Sequence, residues 1–311
     1  MILTVTANAS IDKAYRIETP LVDGSVHRVS LCSDSAGGKG LNTARAVITC
    51  GEDALATGFV GGNNGRYLCE LANKDGIPED FVHISQETRC CVNVLEPNGR
   101  STEFLEPGRP ITNTNVESLS KKIQALMSQT TVVTINGSAP SGMTPDDYAS
   151  LIELIRSYDK PCILDTSGEL LARGIQARPT VIKPNADEIS QLLGRPVVSD
   201  SEIIEAAVEL HKSGIAYVLV SLGGRGAFMV CAEGVFRGYA PKINVLNPVG
   251  AGDTLVGAFA VGFVRGYDAR EQLRYALSCA SASCLAESTG RFDPKIASEL
   301  LEQTEVKRIT L

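Results

Sequence analysis

The chain reads as an α/β protein built on a doubly wound, mostly parallel sheet flanked by helices. Three observations predict this class. Short β-branched runs alternate with helical patterns through most of the length. Several of those runs are apolar on both faces, as strands covered by helices must be. No internal repeat, linker or low-complexity tract interrupts the alternation. In such a sheet, ligands bind outside the carboxyl ends of the strands.

Strands are predicted over residues 2–6, 54–60, 131–135, 162–165, 180–182 and 217–221. Between them, Thr144-Pro145-Asp146-Asp147 opens a helix with an N-cap, a first-turn proline and early acid, and Tyr148, Leu151, Ile152 and Ile155 fall on one face. Ser199 with Glu202 has capping-box spacing, ahead of the apolar face Ile203, Ala207 and Leu210. Two segments break the alternation. Residues 15–32 hold extended stretches around Pro20 and Asp23-Gly24. Residues 88–107 read as a hairpin turning at Pro97-Asn98-Gly99, because Asn-Gly between extended runs fits a tight turn. The expectation is one domain over 1–311, with a small β-sheet lid assembled from two excursions, about 12–32 and 88–107, over the active-site edge.

With 311 residues, 43% of them hydrophobic, the chain can bury a sizeable core. A net charge of −7 argues against a general nucleic-acid binder, so phosphate ligands would have to be met by local cations and N–H groups. No apolar run approaches the roughly 20 residues of a membrane span. The N-terminus lacks a basic segment and cleavage site, and reads as a first strand. Nine cysteines without a CxxC pair and three histidines (His27, His83, His211) make a zinc site a poor reading. Reduced thiols in the cytoplasm are expected.

The most informative stretch is Asn247-Pro248-Val249-Gly250-Ala251-Gly252-Asp253-Thr254. Its glycines allow close backbone approach. The helix it opens aims unpaired N–H groups and a positive dipole end at an anion. A carboxylate beside an anion hole points to a base that takes a proton from a hydroxyl during phosphoryl transfer. By itself the stretch is equally a glycine-rich turn with an acidic first helical turn. Ser35-Ala36-Gly37-Gly38-Lys39-Gly40-Leu41-Asn42 opens another helical pattern and offers Lys39 and Asn42 as donors to a polar ligand, or else is a flexible loop with a solvated lysine. It is neither a P-loop nor a G-x-G-x-x-G fingerprint, which disfavours a dinucleotide-dependent oxidoreductase.

In Lys183-Pro184-Asn185-Ala186-Asp187-Glu188, Asn185 and Glu188 have N-cap and N3 spacing, so the pair is either a plain cap or a site near nucleotide phosphates that holds magnesium and its waters. Ser221-Leu222-Gly223-Gly224-Arg225-Gly226 either wraps a nucleotide or turns the chain into the next strand. Asp12 either accepts from sugar hydroxyls or caps a turn. Arg89 either grips a phosphate from a lid or is a surface arginine.

Taken together, these motifs resemble the ribokinase-like (phosphofructokinase B-type) carbohydrate kinases over essentially the whole chain, nearest their 1-phosphofructokinase and tagatose-6-phosphate kinase subgroup. Thr88-Arg89 and Gly137-Ser138-Ala139-Pro140 add to the likeness. The resemblance implies Asp253 as base and Gly250, Ala251 and Gly252 as anion hole. Lys183, Asn185, Ser221, Gly223 and Gly226 would serve ATP, with Glu188 helping to place Mg2+. Asp12, Gly38, Lys39, Asn42, Arg89 and Ser138 would hold a phosphosugar. It further implies a homodimer paired through the lids, and points to residues 287–291 for the monovalent cation that some relatives bind. Two departures stand out. Ala9 replaces a usual proline, and Cys90-Cys91-Val92 stands where many members carry Ile-Asn-Val, removing a candidate sugar contact. The implied reaction is ATP-dependent phosphorylation of a hexose phosphate to a 1,6-bisphosphate, with fructose 1-phosphate as leading acceptor and tagatose 6-phosphate as the alternative. Rival readings are a 6-phosphofructokinase, a kinase of unphosphorylated sugars or nucleosides, and a nucleotide-binding regulator without catalysis.

Overall fold

The computed structural model describes residues 1–310. In chain order its strands are β1 (Ile2–Thr6), β2 (Ser10–Arg16), β3 (Leu31–Gly37), β4 (Ala54–Gly61), β5 (Val82–Ile84), β6 (Arg89–Leu95), β7 (Ser101–Leu105), β8 (Val132–Asn136), β9 (Cys162–Asp165), β10 (Val181–Ile182), β11 (Tyr217–Ser221), β12 (Ala227–Cys231), β13 (Gly234–Tyr239) and β14 (Glu305–Ile309). The helices are α1 (Lys39–Thr49), α2 (Gly62–Lys74), α3 (Asn113–Leu126), α4 (Pro145–Arg156), α5 (Gly168–Gln176), α6 (Ala186–Leu193), α7 (Asp200–Lys212), α8 (Ala251–Arg265), α9 (Ala269–Ser283) and α10 (Pro294–Gln303).

Ten strands form one sheet in the order β14-β13-β12-β11-β10-β9-β8-β1-β4-β5. Pairing is parallel from β5 through β11 and antiparallel across β12, β13 and β14. The chain leaves β1 for β4 on one side and later returns to β8 on the other. That reversal opens a crevice at the carboxyl ends of β1 and β8. Alternate residues of the central strands feed two cores. Ile2, Val132, Ile163, Val181 and Leu219 pack with α1, α8 and α9, whereas Leu3, Val133, Leu164, Ile182 and Val218 pack with α3, α4 and α7. Helix α8 is buried on every side from Asp253 to Gly262, so its N-terminus is held rigidly under the crevice.

A second, four-stranded sheet has the order β3-β2-β6-β7, with β2 and β6 parallel and the outer pairs antiparallel. The expected hairpin is present as β6 and β7, with Gly99 at φ 83 in the turn. The predicted caps are also present: Thr144 accepts from Asp147 N, and Ser199 from Glu202 N. No helix among the described residues is long and apolar enough to cross a membrane, and all nine cysteines are free thiols.

Candidate active site

Gly250 begins α8 in the left-handed region (φ 80), and a Cβ there would collide with the Thr289 side chain. Only glycine makes this turn without strain. The Ala251 N–H donates to the Pro248 carbonyl at 3.3 Å, whereas those of Gly250, Gly252 and Asp253 have no partner among the described residues. The open amides therefore belong to 250, 252 and 253, at the positive end of a buried helix.

Asp253 lies in that first turn, 6% exposed. Its Oδ2 accepts from Asn42 Nδ2 at 2.8 Å, and its main-chain carbonyl from Thr43 Oγ1 at 3.3 Å. Burial and the negative charge of Asp165 raise its pKa to about 6, against the pull of Lys39, the Asn42 amide and Lys183. Asp165, at the end of β9, is buried between two lysines: Lys183 Nζ stands 3.1 Å from Oδ1, and Lys39 Nζ 3.4 Å from Oδ2. For Lys39, burial opposes the charged form, but Asp165, Asp253 and Glu188 outweigh it and raise the pKa. Lys183 also borders the open amides, since a Cβ on Gly252 would stand 3.7 Å from its Nζ. Two cations, two carboxylates and three free N–H groups thus meet where α1, β9, β10 and α8 converge.

A second group sits beside the small sheet. Ser10 Oγ donates to Asp12 Oδ1 at 2.6 Å. Burial raises the Asp12 pKa, while the Ser10 hydroxyl, the Arg89 charge and the Gly38 N–H hold it down. Gly37 leaves no room for a side chain over that carboxylate. Arg89 donates through Nε and Nη2 to the Asn8 carbonyl (3.2 and 2.9 Å) and through Nη1 to that of Glu106 (2.7 Å). Asn8 in turn donates to Ser138 Oγ at 3.1 Å. Arg89 and Arg109 line one small cavity together with Asn8, Thr88 and Pro140.

The third group runs along the carboxyl edge beyond β10. Asn185 and Glu188 form a reciprocal cap at 2.8 and 2.9 Å, and Asn185 bridges to Ser221. Gly223 (φ 57) and Gly226 (φ 91) frame a single 3₁₀ turn. Lys183, expected with this nucleotide group, lies between it and the Asp253 group, with its Nζ beside Asp165 and Gly252. Likewise Lys39 pairs with Asp165 and makes no contact with Arg89.

Asp165 and Arg45 were not singled out in the sequence. The signal for Asp165 was available: an apolar strand ending on a carboxylate at its carboxyl end. Arg45 sits inside a helical apolar pattern, and nothing local marks it.

Residues 5–296 match the pfkB family carbohydrate kinase pattern. The chain belongs to the pfkB family of carbohydrate kinases. A tagatose-6-phosphate kinase of Staphylococcus epidermidis is 37% identical over 309 residues, 98% of this chain and 99% of that protein. Among solved structures, phosphofructokinase-2 of Escherichia coli in complex with potassium superposes with a TM-score of 0.92 at 26% identity, covering 97% of this chain and 98% of that one. A possible 1-phosphofructokinase of Thermotoga maritima gives 0.91 at 25% identity, covering 100% of both chains. The fold is ribokinase-like, and as a pfkB-family kinase the chain is an ATP-dependent phosphotransferase.

Proposed function

We propose that this kinase phosphorylates a ketohexose phosphate at its free primary hydroxyl, and that tagatose 6-phosphate is the acceptor. The observation that carries the reaction is Asp253, a buried carboxylate with a pKa of about 6, next to the three open amides at the start of α8. The choice of acceptor rests on the 37% identity to a tagatose-6-phosphate kinase across the whole chain. Fructose 1-phosphate is the second reading, favoured by the Thermotoga maritima likeness.

In this reading the sugar lies between the Asp12 group and Asp253. Asp12 accepts from ring hydroxyls, and Arg89 binds the phosphate already present, with Ser138 at the same end. Asp253 accepts the proton as the hydroxyl oxygen attacks the γ-phosphorus and the bond from that phosphorus to the β–γ bridging oxygen breaks, releasing ADP. The N–H groups of Gly250, Gly252 and Asp253, with Lys183 beside them, stabilise charge on the transferring oxygens. Lys39 joins this end of the site, because its charge is directed at Asp165, Asp253 and Glu188. ATP lies along Asn185, Ser221, Gly223 and Gly226. Glu188 uses Oε2 to cap α6 and has no hydrogen bond on Oε1, a hard oxygen that suits magnesium held through water. Bound with ATP, magnesium supplies charge neutralisation at the phosphate oxygens. The loop 287–291 is the assigned place for a monovalent cation, supported by the potassium complex of the similar phosphofructokinase-2; its Glu287 and Thr289 carbonyls accept from Asn247 and Arg45 and each keeps a second lone pair.

The small sheet is assigned as the lid that excludes water from the phosphoryl group, and exposed Leu31, Phe104 and Leu105 on it support pairing of two copies through their lids. Nine free thiols support a reducing, cytoplasmic location. The test is kcat/KM with ATP for tagatose 6-phosphate, fructose 1-phosphate and fructose 6-phosphate, which measures discrimination directly. A clear preference for tagatose 6-phosphate is expected. Equal or better use of fructose 1-phosphate would transfer the assignment to the second reading.

A further inference from the structure

We propose that Arg45 is a positioning residue for the base: it fixes which end of the Asn42 amide faces Asp253. The proposal rests on the assignment of Asp253 above. Arg45 lies in α1 one turn beyond Asn42, is 5% exposed, and is placed to touch neither substrate. Its Nη1 donates to Asn42 Oδ1 at 2.8 Å. A guanidinium has donors only, and an ionised carboxylate has acceptors only. The Asn42 amide between them therefore has one workable orientation, carbonyl toward Arg45 and NH2 toward Asp253. A flipped amide would set donor against donor and acceptor against acceptor.

Arg45 is itself held on every N–H. Nε and Nη2 donate to Asp75 Oδ2 at 3.0 and 2.8 Å. Nη2 also donates to the Ala36 carbonyl at 2.8 Å, and Nη1 to that of Thr289 at 3.3 Å. Asp75, which ends α2, is gripped from its other oxygen by Arg291 at 2.5 Å. A relay thus runs from the surface pair Arg291–Asp75 through Arg45 and Asn42 to the base. A lysine at 45 keeps the charge, but its single ammonium cannot hold Asp75 and Asn42 in the same fork.

The other groups facing Asp253 are Asp165 from β9, Lys39 from α1 and Lys183 after β10. None of them is hydrogen-bonded to Arg45. A charge-conserving change at 45 therefore reaches the base through Asn42.

The experiment is a 13C NMR titration of the Asp253 carboxyl in protein labelled at aspartate carboxyl carbons, without sugar or nucleotide, assigned by the signal lost in Asp253→Asn. Wild type should titrate at about 6. Arg45→Lys should raise that midpoint by about one pH unit, the size of a lost hydrogen bond to a charged group. Asn42→Ala should raise it at least as far, and adding Arg45→Lys to Asn42→Ala should change nothing further. A wild-type midpoint in Arg45→Lys, or the same increment with and without Asn42, would overturn the proposal. If Arg45→Lys does not fold, Asp75→Asn reads the relay from its far end by the same criterion, a rise that vanishes in the Asn42→Ala background. No turnover is measured, so failure of the kinase reading and failure of the relay are separate results.

Discussion

Lys183 and Lys39 share one buried carboxylate, with Lys183 Nζ 3.1 Å from Asp165 Oδ1 and Lys39 Nζ 3.4 Å from Oδ2. Asp165 lies between the two charges, and Lys183 is buried with it while Lys39 reaches solvent. Asp165→Asn should therefore lower folding stability by about 3 kcal/mol, chiefly through buried Lys183, since Lys39 is partly exposed and screened. The same change removes a negative charge that raises the Asp253 pKa, so the acid limb of kcat should move to lower pH. Thermal unfolding and a pH–kcat profile read the two effects, and a limb that stays in place or moves upward sinks the electrostatic account.

Asp253 must be ionised to accept a proton, and its pKa lies at about 6. On the proposed mechanism kcat should fall about tenfold per pH unit below that value and level off above it. Asp253→Asn should abolish the limb and lower turnover by about 10²-fold or more while ATP still binds. The residue also carries a stability sign. Its folded-state pKa lies above the ordinary aspartate value of 3.8. The native state therefore keeps a proton that the unfolded chain releases, and the Asp253 contribution to stability falls as pH rises through the window between those values. Asp253→Asn should melt higher than wild type at pH 8 but not near pH 4. Equal melting temperatures at pH 8 would mean the carboxylate is not strained by burial.

Local signals explain what could be read from the chain. Strands 2–6, 162–165 and 217–221 fall where the apolar runs lie, and the caps at Thr144 and Ser199 follow from residues three positions apart. The strand after Gly226 is legible, but the last two of the antiparallel edge are not: β13 carries Arg237 among its apolar residues, and β14 reads Glu-Val-Lys-Arg-Ile, so neither stands out as a strand. The glycine-rich turns at 37–40 and 250–252 announced close backbone approach. The partners that give the side chains their roles come from distant segments. Lys39 meets Asp165 at a strand end, and Arg45 meets Asp75 at a helix end and Thr289 in a loop, only once the chain is folded.

Arg89 spends three of its five N–H donors on the carbonyls of Asn8 and Glu106, and it lines a small cavity with the rest unused. Arg89→Ala should raise KM for the hexose phosphate by about tenfold or more, the worth of a charge-assisted hydrogen bond, with KM for ATP little changed. Steady-state kinetics with each substrate varied in turn check this. Unchanged phosphosugar kinetics would reduce Arg89 to a strut joining two backbone segments.

The outer strand β7 exposes Phe104 at 61% and Leu105 at 65%, and β3, at the opposite edge of the same sheet, exposes Leu31 at 56%. Apolar side chains this exposed on an edge strand invite pairing with a second sheet. If two copies join there, Phe104→Asp places a charge in the interface and should shift the mass in solution from twice the chain mass to the chain mass. Within one chain the position is largely solvated, so the melting temperature of the separated subunit should change little. Light scattering across a dilution series reads the mass. An assembly that survives the substitution at the same concentration would take the small sheet out of the interface and leave it as a lid alone.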